Sequence, residues 1–85
     1  MIEESTAAFR QSVTINPDFA PGYRALGEML VYQGKVDEGL KELRKAVRLA
    51  PNDPRVHESL AKALEAKGLR TQANEEMRKA QEAAR

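Results

Sequence analysis

Apolar residues return along this chain at steps of three and four, the spacing that lines one face of a helix. Between positions 36 and 50 they are Val36, Leu40, Leu43, Val47 and Ala50. The same rhythm runs through Tyr23, Leu26, Leu30 and Val31, and through Val56, Leu60, Ala63 and Leu64. It returns in Leu69, Ala73, Met77, Ala80 and Ala84, and a first segment carries Ile2, Phe9, Val13 and Ile15. Breakers separate the segments: Asn16-Pro17, Pro21-Gly22, Gly34, Pro51 to Pro54, and Gly68. Each segment is rich in Ala, Leu, Glu, Lys and Arg and poor in β-branched residues. The pattern predicts five helices and no sheet. Asp18 and Asp53 mark the starts of helices two and four, and Thr71 is the expected cap of the fifth. Pro21 and Pro54 fit a first turn, where the missing N–H is not needed. Gly34 and Gly68 are expected to end helices in left-handed geometry.

The pattern also copies itself. Displaced by 34 residues, Leu26 falls on Leu60, Leu30 on Leu64, Gly34 on Gly68 and Glu42 on Glu76. Arg44-Lys45-Ala46 falls on Arg78-Lys79-Ala80. The first segment joins the same frame, Glu4 with Glu38, Arg10 with Arg44, Val13 with Val47 and Pro17 with Pro51. A fixed period of this length means stacked copies of one supersecondary unit, here a helix–turn–helix.

On these residues the chain resembles the tetratricopeptide repeat (TPR) family. One full copy reads Tyr23, Leu26-Gly27, Leu30, Gly39, Leu43, Ala46 and Pro51. The next reads His57, Leu60-Ala61, Leu64, Ala73, Met77 and Ala80, with Arg85 where the closing proline would stand. Ser5, Phe9, Ser12 and Pro17 resemble the second half of a preceding copy. The resemblance implies an all-α fold, a right-handed α-solenoid of antiparallel helix pairs with five helices and two and a half repeats. It divides a single domain, 1–85, into the second helix of a truncated repeat (1–19), a full repeat (20–53) and a final repeat (54–85). It assigns Tyr23, Leu26, Gly27, Leu30, Gly39, Leu43, Ala46, Leu60, Ala61, Leu64, Ala73, Met77 and Ala80 to packing within and between repeats.

That assignment answers a puzzle. Gly27 stands inside a helical stretch, where glycine costs about 1 kcal/mol relative to alanine. It is expected to face Gly39 where two helices cross, letting the backbones approach closer than the usual separation of roughly 8–10 Å. Ala61 and Ala73 should fill these roles in the next copy, and Ser5 in the truncated one.

The family's first helices line a concave groove that commonly holds a peptide or a partner's helix. Carried over, the groove residues are Arg24, Glu28, Val31 and Tyr32, with Pro21, on the second helix. On the fourth they are Arg55, Glu58, Lys62 and Glu65. Some members clamp a C-terminal carboxylate with lysines and asparagines. Glu28 and Lys62 stand where such an asparagine would be, so that mode is not expected here.

Charge and composition narrow the partners. The 85 residues suit one small domain. Charged residues are 32% of the chain, yet the net charge is +1, which argues against nucleic acid or an anionic membrane as partner. Phe9, Phe19, Tyr23 and Tyr32 are the only aromatics, too few for base stacking. No apolar run is long enough to span a membrane. The absence of cysteine and of a signal-like N-terminus points to a cytoplasmic location.

No constellation for catalysis stands out, and no catalytic residue, cofactor or metal is expected. Glu3-Glu4 and Glu75-Glu76 are neighbours whose side chains diverge by about 100° on a helix. Asp37 and Glu38 suit a helix N-terminus, where negative charge is favoured. His57 has Leu60 and Ala61 at i+3 and i+4, which cannot ligate a metal. It is expected to pack its ring between helices with the polar tip near solvent. Lys41, Arg44, Lys45 and Arg48, beside Glu38 and Glu42, read as a solvated convex face. Met1, Met29 and Met77 read as initiator or packing residues.

The functional expectation is a non-catalytic protein–protein interaction module that binds a peptide in the groove. One alternative is an assembly segment that forms a homo-oligomer through the N-terminal helix, whose Ile2, Phe9 and Val13 lack a pairing helix. Another is an accessory domain of a larger protein. The half repeat suggests a chain cut at its N-terminus, while the Ala-rich, charged last helix suits a terminal cap.

Overall fold

The structure, a computed structural model, describes residues 2–85, the side chains of Ile2 and Glu3 excepted. The roles expected for Met1, for the Ile2 side chain and for Glu3 lie outside the described residues. The chain forms α1 (Ile2–Ile15), α2 (Ala20–Tyr32), α3 (Val36–Leu49), α4 (Pro54–Ala66) and α5 (Arg70–Ala83). There is no strand among the described residues.

The helix boundaries follow from local chemistry. Asp53 caps α4: its carboxylate accepts the Arg55 backbone N–H at 3.0 Å, and Pro54 sits in the first turn. Two expected caps differ. The residue at the start of α2 is Phe19, with no side-chain cap bond, so Asp18 lies one position too early. In α5 the flanking residue is Leu69, and Thr71 is already inside the helix.

Both α3 and α5 start this way because a glycine turn delivers the chain straight into them. Gly34 and Gly68 each take φ +86°. After α2, the Gly34 N–H donates to the Val31 carbonyl and the Lys35 N–H to that of Leu30, each at 2.9 Å. After α4, Gly68 and Leu69 donate to Glu65 and Leu64 at the same distances. This is the Schellman arrangement, and it satisfies carbonyls the helix end would leave open.

Packing joins α2 to α3 and α4 to α5 as the two tightest pairs. α3 meets α4 to link them, and α2 also touches α4. Among the described residues α1 packs against α2, with an Arg10–Glu38 ion pair reaching α3. One cluster holds Leu40, Leu43, Leu60, Ala61, Ala63, Leu64 and Ala73, with Val31, Val36, Val47 and Leu69 at its edge. A second holds Val13, Leu26 and Leu30, with Phe9 and Tyr23 against them. Ala46 and Ala80 are buried as well.

Three apolar positions depart from the expected core, one of them Ala84, exposed just past the end of α5. Ile15, at the last turn of α1, is 76% exposed. Met77 is 39% exposed, although its repeat counterpart Leu43 is fully buried. Leu43 is covered by the following helix pair; no helix among the described residues does that for Met77.

Gly27 and Gly39 meet where α2 crosses α3. A Cβ built on Gly27 would lie 2.5 Å from Leu43 Cγ and 3.0 Å from the Gly39 carbonyl oxygen. One on Gly39 would lie 2.6 Å from Val31 Cγ2 and 2.8 Å from the Gly27 carbonyl oxygen. Neither position has room for a side chain, and that close approach accounts for a glycine in mid-helix.

Candidate interaction groove

α2 and α4 lie side by side, with α3 behind them. Between them opens a cavity of about 260 Å³. Val31, Tyr32, Leu43 and Ala63 give it an apolar lining; Glu28, Ser59 and Lys62 give it a polar rim. Tyr32 stands 72% exposed. Val31 is half-buried, because its other side packs over Gly39.

The rim charges differ in what they already hold. Arg24 Nη1 donates to Glu28 Oε1 at 3.0 Å, and Ser59 Oγ donates to the same oxygen at 2.5 Å. The second bond ties α2 to α4 across the groove. Lys62 is exposed and has no hydrogen bond or ion pair among the described residues.

Of the residues expected to face the groove, Glu28, Val31, Tyr32 and Lys62 share this cavity. Arg24 reaches it only through Glu28. Glu58 and Glu65 are exposed on α4 and do not line the cavity, and Pro21 is exposed at the first turn of α2. Arg55 turns back on its own helix start, its Nε and Nη2 donating to the Asp53 carboxylate at 3.2 and 3.0 Å. The Arg55 side chain first, then its backbone N–H, holds the Asp53 carboxyl below the usual aspartate range. Ser59 and Ala63 complete the site unforeseen. Their only signal is that small residues stand one helical turn apart on α4.

A second polar arrangement lies on the other side. His57 is only 5% exposed, so its tip is not near solvent as expected. Nε2 donates to the Pro51 carbonyl at 2.7 Å, and Nδ1 lies 2.9 Å from Glu76 Oε2. Lys79 Nζ donates to the other Glu76 oxygen at 3.2 Å. In the preceding repeat the same three slots hold Tyr23, Glu42 and Lys45. There Lys45 lies 3.7 Å from Glu42 and 5.6 Å from the centre of the Tyr23 ring. The histidine is thus anchored by its repeat frame, and no group of acidic, histidine or cysteine side chains suited to a metal occurs among the described residues.

Lys41, Arg44 and Arg48 on α3 are exposed, with Lys45 half-buried beside Glu42. No described helix is long and apolar enough to cross a membrane.

A sequence pattern described as "TPR repeat" matches residues 27–68. Solved structures agree. "MamA MSR-1 C2" superposes with a TM-score of 0.89 and 25% identity over 98% of this chain. "MamA AMB-1 P212121" gives 0.88 and 25% over 98%. "Crystal structure of MamA protein" gives 0.86 and 27% over 96%. The matches take in 48%, 49% and 45% of those chains, so this chain spans about half the length of the MamA proteins it matches. No curated protein sequence gives a significant match.

Residues 27–68 therefore match the TPR repeat and the whole chain has the fold of a TPR helical solenoid, a class that serves in general as a non-catalytic scaffold for protein–protein interaction.

Proposed function

We propose that this protein binds an extended segment of a partner protein in the groove between α2 and α4. The observation that carries the reading is the apolar cavity there, overhung by Tyr32, a large ring left 72% exposed. Exposed aromatics beside a pocket are what interfaces use as anchors, because they bury large area for little lost conformational freedom. The rest of the groove is polar and mixed in sign, which suits a peptide backbone and charged side chains.

The test is a nuclear magnetic resonance titration of the full chain. The probe is a peptide, acetylated and amidated, selected from a random library displayed against it. Shift changes should concentrate at Glu28, Val31, Tyr32, Ser59 and Lys62, residues that line the cavity. Tyr32→Ala should weaken binding about tenfold, the cost of truncating a modest hot spot, with an unchanged melting temperature. Changes confined to α3 and α5 would overturn the proposal.

A further inference from the structure

We infer that the partner segment seats one apolar side chain in the α2–α4 cavity and sets a side-chain carboxylate, an Asp or Glu, on Lys62. The inference rests on the groove reading above and adds the chemistry of what is bound.

Three observations carry it. The first is the state of the two rim charges. Glu28 is already matched by Arg24 and Ser59, so a cation on the ligand would have to displace them. Lys62 has nothing to displace, and it stands directly against the cavity. The free charge is positive, and the complementary ligand group is negative.

The second is the size and lining of the cavity. At about 260 Å³ it falls below the roughly 300–1,000 Å³ of sites that enclose whole small molecules. Val31, Leu43 and Ala63 form its walls. A single aliphatic or aromatic side chain is the occupant that fits such a space.

The third is what surrounds Lys62. Glu58 and Glu65 lie four residues before it and three after it on the same helix, and both are exposed. They repel a second ligand carboxylate, so the segment is read as carrying one acid and not an acidic run. A chain-terminal carboxylate is disfavoured as well. Its capture needs several converging donors, and the cavity offers one ammonium in mid-helix, where the backbone N–H groups are already bonded.

The experiment uses the blocked peptide library on the full chain and reads affinity by fluorescence polarisation at low salt. Selected peptides should carry Asp or Glu beside a Leu, Met or Phe. Replacing that Glu by Gln in a selected peptide should weaken binding about three- to fivefold, the range of an exposed ion pair. On Lys62→Gln the same exchange should make no difference, and on Lys62→Glu the preference should pass to Lys at that peptide position. Lys62→Gln should melt with the parent chain, since Lys62 is exposed and unpaired. Lys62→Glu, which lines up three glutamates at 58, 62 and 65, should melt slightly lower but still fold.

Groove-bound peptides with no preference for an acid would overturn this inference and leave the groove reading standing. So would selection that succeeds only when the peptide C-terminus is left free. Peptides that perturb only α3 and α5, or a library from which nothing is selected, would overturn both.

Discussion

At Gly27 the cost of a mid-helix glycine and the cost of replacing it can be set against each other. Alanine would recover about 1 kcal/mol of helix propensity. Its methyl group would meet the Leu43 branch at 2.5 Å and a backbone oxygen at 3.0 Å. Overpacking of that kind costs typically 1–3 kcal/mol, and the oxygen belongs to a packed helix that cannot step aside alone. Gly27→Ala is therefore expected to be neutral to destabilising by up to about 2 kcal/mol, and Gly27→Leu to lose several. Thermal unfolding followed by circular dichroism checks the order; a Gly27→Leu chain that melts with the parent would contradict the crossing. His57 shows the limit of legibility at this scale. The repeat places it in the large-residue slot of Tyr23, but nothing in the string of letters joins it to Glu76, nineteen positions away. That bond depends on how α4 and α5 are rotated against each other.

Among the helices, starts and stops were legible to different degrees. The glycine ends were plain, because the left-handed conformation is open to few other residues. Asp53 was plain too, and its cap has a pH signature. Arg55 and the backbone N–H favour the ionised carboxylate in the folded chain, so its pKa lies below the unfolded value. The stability this contributes is complete above the ordinary aspartate range, near 3.9, and is lost as pH falls through the folded value. Asp53→Ala should cost about 1 kcal/mol at pH 7, and the gap to the parent should close as the solution is acidified. Denaturant titrations at pH 7 and near pH 3 would show this; a constant gap would mean the carboxylate is not the source. Asp18 and Thr71 looked like caps by residue type and are not. Which residue flanks a helix depends on where the preceding turn releases the chain, and Leu69 enters α5 directly from the glycine turn.

The whole molecule is a stack, and its stability is expected to vary along it. α2 and α4 are held from more than one side, whereas α1, among the described residues, packs on α2 and shares the smaller apolar cluster. The Thr6–Gln33 hydrogen bond at 2.5 Å and the Arg10–Glu38 pair at 3.6 Å are polar ties between it and the rest. In a one-dimensional array each unit is stabilised by its neighbours, so the end helices α1 and α5, each with one neighbour, open before the middle. Of the two, α1 packs less tightly on α2 than α5 does on α4, and it opens first. Amide hydrogen exchange should be fastest in α1 and slowest in α2 to α4. Uniform protection across the five helices would argue for a single cooperative unit instead.

Periodicity, breakers and the repeat were enough to determine that this protein is a stack of helix pairs, because those signals act locally and each was written twice. The small residues at the crossing were legible for the same reason. Tertiary structure alone decided which charges are spent and which remain open. Glu28 and Lys62 look alike on paper, two ions on neighbouring groove helices. Only the approach of α4 to α2 brings Ser59 onto Glu28 and leaves Lys62 unpaired, since pairing depends on distances of a few ångströms that no spacing along the chain encodes.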